Sequence, residues 1–286
     1  MILSNTNVPS LIKWTGSKRS QVKEILKYIP EHNHYFEPFL GGGALLYALA
    51  KPNSVANDIY QPLIELWKLI QTDPTTVSGD YRQRWEKLKR ELDSYDIKNL
   101  PKDRNIPELF YAARDSFNKR KSPLDLNFIM RTCVNGIVRF NDKGEFNNSF
   151  HLSRRGMNPD TFERNVMLWH DKIQGVVFRS ENYIDAISEA KSSDFIYFDP
   201  PYAANKQRYI SDLDIEQFFL ALEQLNVKGI KWGLSFDGTR GNTNLIHDLP
   251  KNLYKRHILL SSGKSAVNKV LNGPVENVLE SFYMNY

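Results

Sequence analysis

The sequence predicts an α/β protein with a doubly wound, largely parallel sheet and a helical insertion that carries a β-hairpin. Three short apolar runs, at residues 34–39, 54–58 and 194–199, have the composition of buried strands, and each precedes turn residues and a helical pattern. An acidic residue ends each run or lies near its end. Ligands of doubly wound sheets bind at the carboxyl ends of the strands, so we expect these acidic residues to share one edge.

The segment between the second and third runs predicts the insertion. It follows a first amphipathic helix, with apolar residues Val22, Ile25, Leu26 and Ile29, and the first two strands. Charged helical patterns lie at 81–90, 107–120 and 124–134. The β-prone pieces 137–140 and 146–150, with turn residues before and between them, predict a hairpin at about 135–153. We therefore divide the chain into a discontinuous sheet domain, residues 1–59 and 173–286, and a helical insertion, residues 60–172.

The C-terminal part returns to the sheet. A helix is predicted at 214–225 and a strand at 230–236. Two further β-rich runs, at 254–260 and 278–284, are expected to form an antiparallel pair at the sheet edge. Residues 261–277 are rich in Ser, Gly, Asn and Lys and predict a loop.

The composition excludes several classes of protein. With 286 residues, 41% of them hydrophobic, the chain can bury a full core. Its only cysteine, Cys133, excludes an intrachain disulfide and a cysteine-based zinc site, and the six histidines show no ligand spacing, so we expect no metal. The N-terminus has no signal-peptide pattern and no window is long and apolar enough to span a membrane. We expect a cytoplasmic protein that binds no membrane.

The chain is mildly basic. It has 38 Lys and Arg against 33 Asp and Glu, a formal net charge of +5, which is compatible with a polyanionic partner. Basic groups at 119–121, 154–155 and 255–256 are more often solvated surface than phosphate contacts. They support nucleic-acid binding only beside a chemistry that acts on nucleic acid.

The sequence Asp199-Pro200-Pro201-Tyr202 follows the apolar run 195–198. The two prolines remove two N–H donors and hold the strand end extended, so the Asp199 carboxylate and nearby carbonyl groups face outward as acceptors. Such acceptors bind an NH2 group, and the Tyr202 ring suits a planar base turned out of a duplex. Taken alone, this tetrapeptide is equally compatible with a simple turn at the end of a strand.

A second group of residues, the glycine-rich stretch 37–43 and Asp58, indicates a nucleoside cofactor. Three glycines, in the stretch Glu37-Pro38-Phe39-Leu40-Gly41-Gly42-Gly43, lie between the first strand and a helix, where backbone can approach a ligand closely. Asp58 ends the next strand and can accept both hydroxyls of a ribose. Because the spacing of a phosphate-binding loop is missing, the pattern favours S-adenosylmethionine over NAD or ATP. Upstream, Trp14 can line the same pocket and Lys18 can pair with a cofactor carboxylate.

In the order of these motifs the chain resembles the Dam-type (D12 class) DNA N6-adenine methyltransferases over nearly its full length. The resemblance implies a Rossmann-like S-adenosylmethionine-dependent methyltransferase sheet, which binds the cofactor through Trp14, Lys18, Asp58 and Asp199 and wraps its methionine part with residues 37–43. It also implies that the hairpin enters DNA. The matching motifs are Lys13-Trp14-Thr15-Gly16-Ser17-Lys18, residues 37–43, Asn57-Asp58, residues 135–141, residues 144–147 and residues 199–202.

The chain departs from the family in the hairpin. The position before Asn135-Gly136 is often an aromatic wedge, and here it is Val134. Residues 147–155 differ from the GATC-specific members, so the resemblance does not imply a GATC target. The candidate DNA contacts are Asn135, Gly136, Arg139, Asn141, Ser149, His151, Arg154 and Arg155.

The predicted activity is methyl transfer to adenine N6 in a specific double-stranded DNA sequence. Asp199 and the Pro200 carbonyl would accept the hydrogens of the target amine, with Tyr202 stacked on the flipped base. The alternatives are N4-cytosine methylation, methylation of structured RNA, and a catalytically silent DNA-binding module on the same fold. We expect a monomer that either works with a separately encoded restriction endonuclease or acts alone.

Overall fold

A computed structural model of the chain describes residues 7–95, 105–201, 213–240, 243–244, 249–264 and 277–286. Its sheet has the order β3-β2-β1-β4-β5-β8-β7, and β6 pairs with β5. The pairs among β1 to β5 are parallel, whereas β8 is antiparallel to both β5 and β7. The strands are β1 Tyr35–Glu37, β2 Val55–Asn57, β3 Val177–Arg179, β4 Phe195–Phe198, β5 Lys231–Arg240, β6 Thr243–Asn244, β7 Arg256–Lys264 and β8 Asn277–Met284.

This strand order confirms the predicted Rossmann-like, doubly wound sheet. The chain order reverses between β1 and β4, which is the position where such sheets bind ligands. The helices are α1 Val22–Ile25, α2 Ala44–Leu49, α3 Gln61–Thr72, α4 Pro74–Asp93, α5 Glu108–Arg120, α6 Pro123–Thr132, α7 Pro159–Lys172, α8 Tyr183–Ala186 and α9 Ile215–Val227. Short 3-10 turns at Leu26–Tyr28 and Val134–Gly136 follow α1 and α6.

The helix ends follow from local chemistry. Asp73 precedes α4 and accepts a hydrogen bond from the Thr76 N–H at 3.0 Å, with Pro74 in the first turn. Asn158 caps α7 in the same way. Asp214, which is the first residue of the helix predicted at 214–225, is the cap of α9 and accepts from the Gln217 N–H at 3.0 Å.

Side chains of the central strands are buried on both faces of the sheet. Along β4, Phe195 and Tyr197 belong to one hydrophobic cluster, and Ile196 and Phe198 belong to the other. This alternation with both faces covered explains why β4 is a continuous apolar run in the sequence. The second cluster lies under α9, whereas the first extends into helices α3 to α7.

Helices α3 to α7 all lie between β2 and β3 in the chain. Trp67 of α3 and Trp169 of α7 pack with their ring centroids 4.7 Å apart, in the same cluster as Tyr35 of β1 and Ala56 of β2. The helices of the proposed insertion therefore share a core with one face of the sheet. The division into domains at residues 60 and 172 stays a prediction.

Several sequence expectations need correction. The sequence reasoning missed β3, a three-residue strand with the exposed Val177 at the sheet edge. The loop predicted at 261–277 is wrong at its start, because β7 continues to Lys264 and pairs with β8. Residues 265–276 lie outside the described part of the chain. The first amphipathic helix ends early, since Leu26–Tyr28 tightens into a 3-10 turn.

The predicted hairpin strands at 137–140 and 146–150 are also wrong as regular strands. The antiparallel pairing is reduced to isolated bridges, Phe140 with Phe146 and Cys133 with Phe150. Side chains replace ladder bonds here: the Asn148 amide donates to the carbonyl groups of Val134, at 3.0 Å, and Ile137, at 2.8 Å. The result is a compact loop closed by a turn at residues 141–145.

Candidate active site

The carboxyl ends of β1, β2 and β4 meet in one pocket. The segments that line it are residues 14–18, 37–45, 57–60, 181–183, 197 and 199–201, and 213–214, together with Phe140 and Gln217. Two of the predicted acidic strand ends, Asp58 and Asp199, are therefore at one edge, as the sequence predicts, and Glu37 joins them. All the candidate cofactor residues line this pocket: Trp14, Lys18, Glu37, Pro38, Phe39, Gly41, Gly43, Asp58 and Asp199.

Asp58 is held by backbone donors on both carboxylate oxygens. Gly41 N–H donates to Oδ2 and Tyr60 N–H donates to Oδ1, each at 3.0 Å. Burial raises the pKa of Asp58, and the hydrogen bonds from Tyr60 and Gly41 partly oppose this. The two donors fix the carboxylate while leaving lone pairs that can accept hydrogen bonds from a ligand.

The glycine turn has a steric requirement of its own. Gly41 and Gly43 have φ angles of +47° and +63°, in the left-handed region. A Cβ on Gly41 would lie 2.9 Å from Trp14 Cδ1, and one on Gly43 would lie 3.0 Å from Trp67 Cζ2. The sequence predicts that these glycines let the backbone approach a ligand. In the structure, Gly41 and Gly43 are also needed because the turn packs against Trp14 and Trp67.

A buried lysine connects two carboxylates at the end of β4. Lys18 Nζ is 2.8 Å from Asp199 Oδ1 and 3.3 Å from Glu280 Oε2. The Lys18 side chain is only 4% exposed, against 19% for Asp199 and 20% for Glu280. Lys18 also donates to the Gly16 carbonyl at 3.3 Å. The lysine predicted to face the cofactor is therefore an ion-pair partner of Asp199.

Glu37 is a buried acid beside this group. It is 3% exposed, and its Oε2 accepts a hydrogen bond from the Tyr35 hydroxyl at 2.8 Å. Burial raises the pKa of Glu37 to about 8, with a further contribution from the negative charge of Asp199. The raised pKa favours the neutral form of Glu37 beside Asp199.

Aromatic rings form the wall of the pocket toward the 134–155 segment. Tyr60 lies between Trp14, at a centroid distance of 5.8 Å, and Phe140, at 5.2 Å in an edge-on arrangement. Phe140 in turn packs edge-on against Phe146. The 134–155 segment thus contributes one side chain, Phe140, to the lining of the pocket.

The strand end at Asp199 keeps its two prolines against the pocket, since Pro200 and Pro201 both line it. Below them, the Tyr197 hydroxyl and Ser235 Oγ are 2.7 Å apart and tie β4 to β5. The fourth residue of the motif, Tyr202, lies outside the described residues, and its predicted stacking role stays a prediction.

None of the eight candidate DNA contacts lines the pocket, and several have local partners. Arg139 is exposed and donates to Asn147 Oδ1 at 2.9 Å, and Arg155 pairs with Asp93 at 2.7 Å. Three of the others shape the local backbone, since Asn135 and Gly136 have positive φ and Asn141 accepts hydrogen bonds within the turn at 141–145. His151 lies 3.3 Å from Ser153 Oγ. Ser149 and Arg154 are exposed.

Sequence reasoning missed Glu280, Tyr60 and Phe140. Glu280 is the one charged residue in the run 278–284, which apart from Ser281 is apolar and aromatic, and that anomaly was a usable signal. Tyr60 directly follows the second strand end, and Phe140 lies within the motif at 135–141, so position alone could have suggested both.

The described residues form neither a metal-binding cluster nor a membrane-spanning helix. Within them, no cluster of three or more His, Cys, Asp or Glu side chains could hold a metal ion. No helix in the described ranges has the length and apolar character needed to cross a membrane.

The chain has clear relatives among known proteins. The family model for "D12 class N6 adenine-specific DNA methyltransferase" matches residues 14–265. Type II methyltransferase M.MjaIII of Methanocaldococcus jannaschii is 33% identical over 216 residues, which cover 68% of this chain and 69% of that protein. Type II methyltransferase M1.LlaDCHI of Lactococcus lactis is 28% identical over 200 residues, or 68% of this chain and 66% of that protein.

A third relative aligns over a longer span. A DNA adenine methylase of Vibrio cholerae is 26% identical over 275 residues, which cover 91% of this chain and 93% of that protein. The matched region spans about two thirds of the first two relatives and nearly all of the third.

Proposed function

Since the chain belongs to the D12 class of N6 adenine-specific DNA methyltransferases, we propose that it transfers a methyl group from S-adenosylmethionine to the N6 amine of adenine in a specific double-stranded DNA sequence. The observation that carries this proposal is the carboxylate of Asp199. It lies at the end of β4, in the pocket that Asp58 and the glycine turn also line. A hydrogen-bond acceptor for the amine and a nucleoside-binding carboxylate are thus within one cavity.

The residues of the pocket fit S-adenosylmethionine. Asp58, fixed by Gly41 and Tyr60, can accept both hydroxyls of the ribose. The backbone of residues 37–43 would lie along the methionine part, and Trp14 and Phe39 would supply apolar contacts. Lys18 faces two carboxylates, those of Asp199 and Glu280, and this excess of acidic groups favours a positively charged ligand. When bound, the cofactor supplies a methyl group already activated by its sulfonium centre.

The protein's own task is to orient the amine. The N6 lone pair is delocalised into the purine ring, and hydrogen bonds from the amine to Asp199 Oδ2 and the Pro200 carbonyl would favour a pyramidal nitrogen. Lys18 Nζ is 2.8 Å from Oδ1, and the amine would approach the other carboxylate oxygen. By orienting the amine toward the activated methyl group, these acceptors would contribute to the rate, and no strong base is needed before the new bond forms. The proton leaves afterwards to solvent.

Access to N6 requires that the adenine leave the duplex. Flipping costs a few kcal/mol, which phosphate contacts offset. We propose that the helical insertion and its 135–153 segment bind the duplex, with Tyr202 stacked on the flipped base. We further propose that the enzyme acts as a monomer on cytoplasmic DNA, either in a restriction-modification pair or alone.

Nucleoside mass spectrometry tests the proposal. Unmethylated plasmid DNA is incubated with S-adenosylmethionine and either the wild-type protein, Asp199→Ala, or Glu223→Ala as a control at an exposed acid of α9, outside both the pocket and the insertion proposed to bind DNA. We expect N6-methyladenine with the wild type and Glu223→Ala, and none with Asp199→Ala. N4-methylcytosine would refute the choice of base. The absence of any methylated base, with cofactor binding shown by calorimetry, would favour an RNA substrate or a silent module.

A further inference from the structure

Glu280 reaches the active site from the opposite end of the chain. It lies in β8, beyond the segment matched by the family model, and its Oε2 is 3.3 Å from Lys18 Nζ. Lys18 lies in the N-terminal segment before α1, and Asp199 follows β4. Three separate parts of the chain therefore converge on one ammonium group.

The sheet is irregular where Glu280 lies. On the β5 side, the pairing shifts register between Phe236, opposite Ser281, and Gly238, opposite Glu280. The extra residue, at position 237, is on β5, and bulges are frequent next to active sites. On the other side of β8, the pairing with β7 shifts register opposite residues 278 and 279. Glu280 thus lies in a stretch of β8 whose pairing is irregular on both sides, an observation independent of the ion pair.

The ion pair between Glu280 and Lys18 affects how strongly Lys18 interacts with Asp199. Lys18 is almost fully buried, and a buried charge needs partners that compensate for its lost hydration. Here the ammonium group has two carboxylates within ion-pair distance, Asp199 at 2.8 Å and Glu280 at 3.3 Å, so its positive charge is divided between them. If only Asp199 were charged, Lys18 would bind it more closely and withdraw more of its electron density. Asp199 would then be a weaker acceptor for an incoming amine.

We propose that Glu280 is a positioning residue for methyl transfer: its negative charge anchors Lys18, and Lys18 in turn orients the Asp199 carboxylate and sets its strength as an acceptor. This inference rests on the proposed function, because it assigns Asp199 to the target amine. Glu280 itself does not line the pocket and is not assigned a contact with substrate or cofactor.

The first test compares two conservative variants. Glu280→Gln keeps the length and hydrogen-bonding capacity but removes the charge, whereas Glu280→Asp keeps the charge and is one methylene shorter. We expect Glu280→Gln to lower kcat about tenfold or more, and Glu280→Asp to retain clearly more activity than Glu280→Gln. A role in packing alone predicts the reverse order, since the amide replaces the carboxylate more closely in shape.

A matched control is Glu189→Gln, which removes the charge from an exposed ion pair with Arg179 at 2.8 Å. It should leave kcat unchanged. The inference is overturned if Glu280→Gln stays within about threefold of the wild-type kcat, or if it is at least as active as Glu280→Asp. An inactive wild type would instead refute the proposed function.

The second test needs no activity. Urea unfolding of the cofactor-free protein is measured for the wild type, Lys18→Met, Glu280→Gln and the double variant. If Lys18 and Glu280 act as a pair, the two substitutions are non-additive, by at least about threefold in the unfolding equilibrium constant. Additive effects would show that Glu280 does not anchor Lys18, and would overturn the inference whatever the kinetics show.

Discussion

The side-chain amide of Asn57 donates a hydrogen bond to the main-chain carbonyl of Pro38 at 3.1 Å. The same amide donates to the Glu181 carbonyl at 3.0 Å and accepts from the Glu181 N–H at 3.0 Å. Asn57 is the last residue of β2 and is 1% exposed, whereas Pro38 follows β1 and Glu181 follows β3. One buried side chain thus ties three strand ends together at the edge where the pocket lies.

We predict that Asn57→Ala lowers both stability and cofactor affinity. It removes the hydrogen-bond partner of the buried Pro38 carbonyl and of two partly buried backbone groups of Glu181, at a cost of about 2–4 kcal/mol in the free energy of unfolding. Urea unfolding and calorimetry with S-adenosylmethionine would measure the two effects. Asn158→Ala, which removes an exposed helix cap, should cost about 1 kcal/mol and leave affinity unchanged. Unchanged affinity in Asn57→Ala would mean that the three strand ends hold the pocket without this link.

Gly43→Ala should destabilise the protein by about 2 kcal/mol or more. Gly43 has a φ of +63°, and its new Cβ would meet Trp67 Cζ2 at 3.0 Å, so backbone strain and overpacking act together. Gly79→Ala is the matched control, because Gly79 lies inside α4 with no atom within 4 Å of its Cβ position. There we expect a gain of about 0.5–1 kcal/mol. Thermal unfolding measures both, and a loss of equal size at the two positions would contradict the prediction.

The sequence predicted the parts of the site that depend on local chemistry. Strands such as β4 are continuous apolar runs because both faces are covered, and parallel pairing then brings their acidic ends to one edge. The position of Asp58 and Asp199 at one edge of the sheet could therefore be predicted from the sequence. The antiparallel β7–β8 pair was predicted from the β-rich composition on either side of a polar segment.

The sequence could not predict features that depend on contacts between distant residues. Glu280 lies near Lys18 because β8 pairs with β5, where an extra residue of β5 shifts the register. The segment around Asn148 fails to form strands because side-chain amides bond to its backbone, a choice that β-propensity does not reveal. β3 is as short as β1 and β2, but it lies at the sheet edge with Val177 exposed, whereas all three residues of β1 and of β2 are buried, so β3 lacks their signal of a buried strand.

Glu37 should make stability depend on pH. Burial raises its pKa from the ordinary 4.5 to about 8, so the folded protein binds this proton more tightly than the unfolded chain. The stabilisation is therefore fully present below about pH 4.5 and is lost as pH rises through about 8. We expect Glu37→Gln, which can still accept a hydrogen bond from Tyr35, to remove this dependence.

The measurement is the difference in unfolding free energy between Glu37→Gln and the wild type across that range of pH. Relative to the wild type, the variant should gain stability by up to about 3 kcal/mol between roughly pH 5 and pH 8. Asp58 also has a raised pKa, but its contribution is common to both proteins and cancels in the difference. A difference that stays constant with pH would show that Glu37 ionises normally in the folded protein.

Arg154 and Arg155 should contribute unequally to DNA binding. Arg155 already pairs with Asp93 at 2.7 Å, so its charge is partly compensated, whereas Arg154 is exposed. Arg154 also adds to a positive region, because its charge and that of Arg131 help to lower the pKa of Lys13, after the larger effect of burial. A phosphate contact there would release counterions, so Arg154→Ala should reduce the slope of log affinity against log salt by about 0.9. Arg155→Ala should change that slope by less than half as much.

Fluorescence anisotropy on a short duplex over a range of salt concentrations measures both slopes. A larger change in Arg155→Ala than in Arg154→Ala would mean that a DNA phosphate replaces Asp93 as the partner of Arg155.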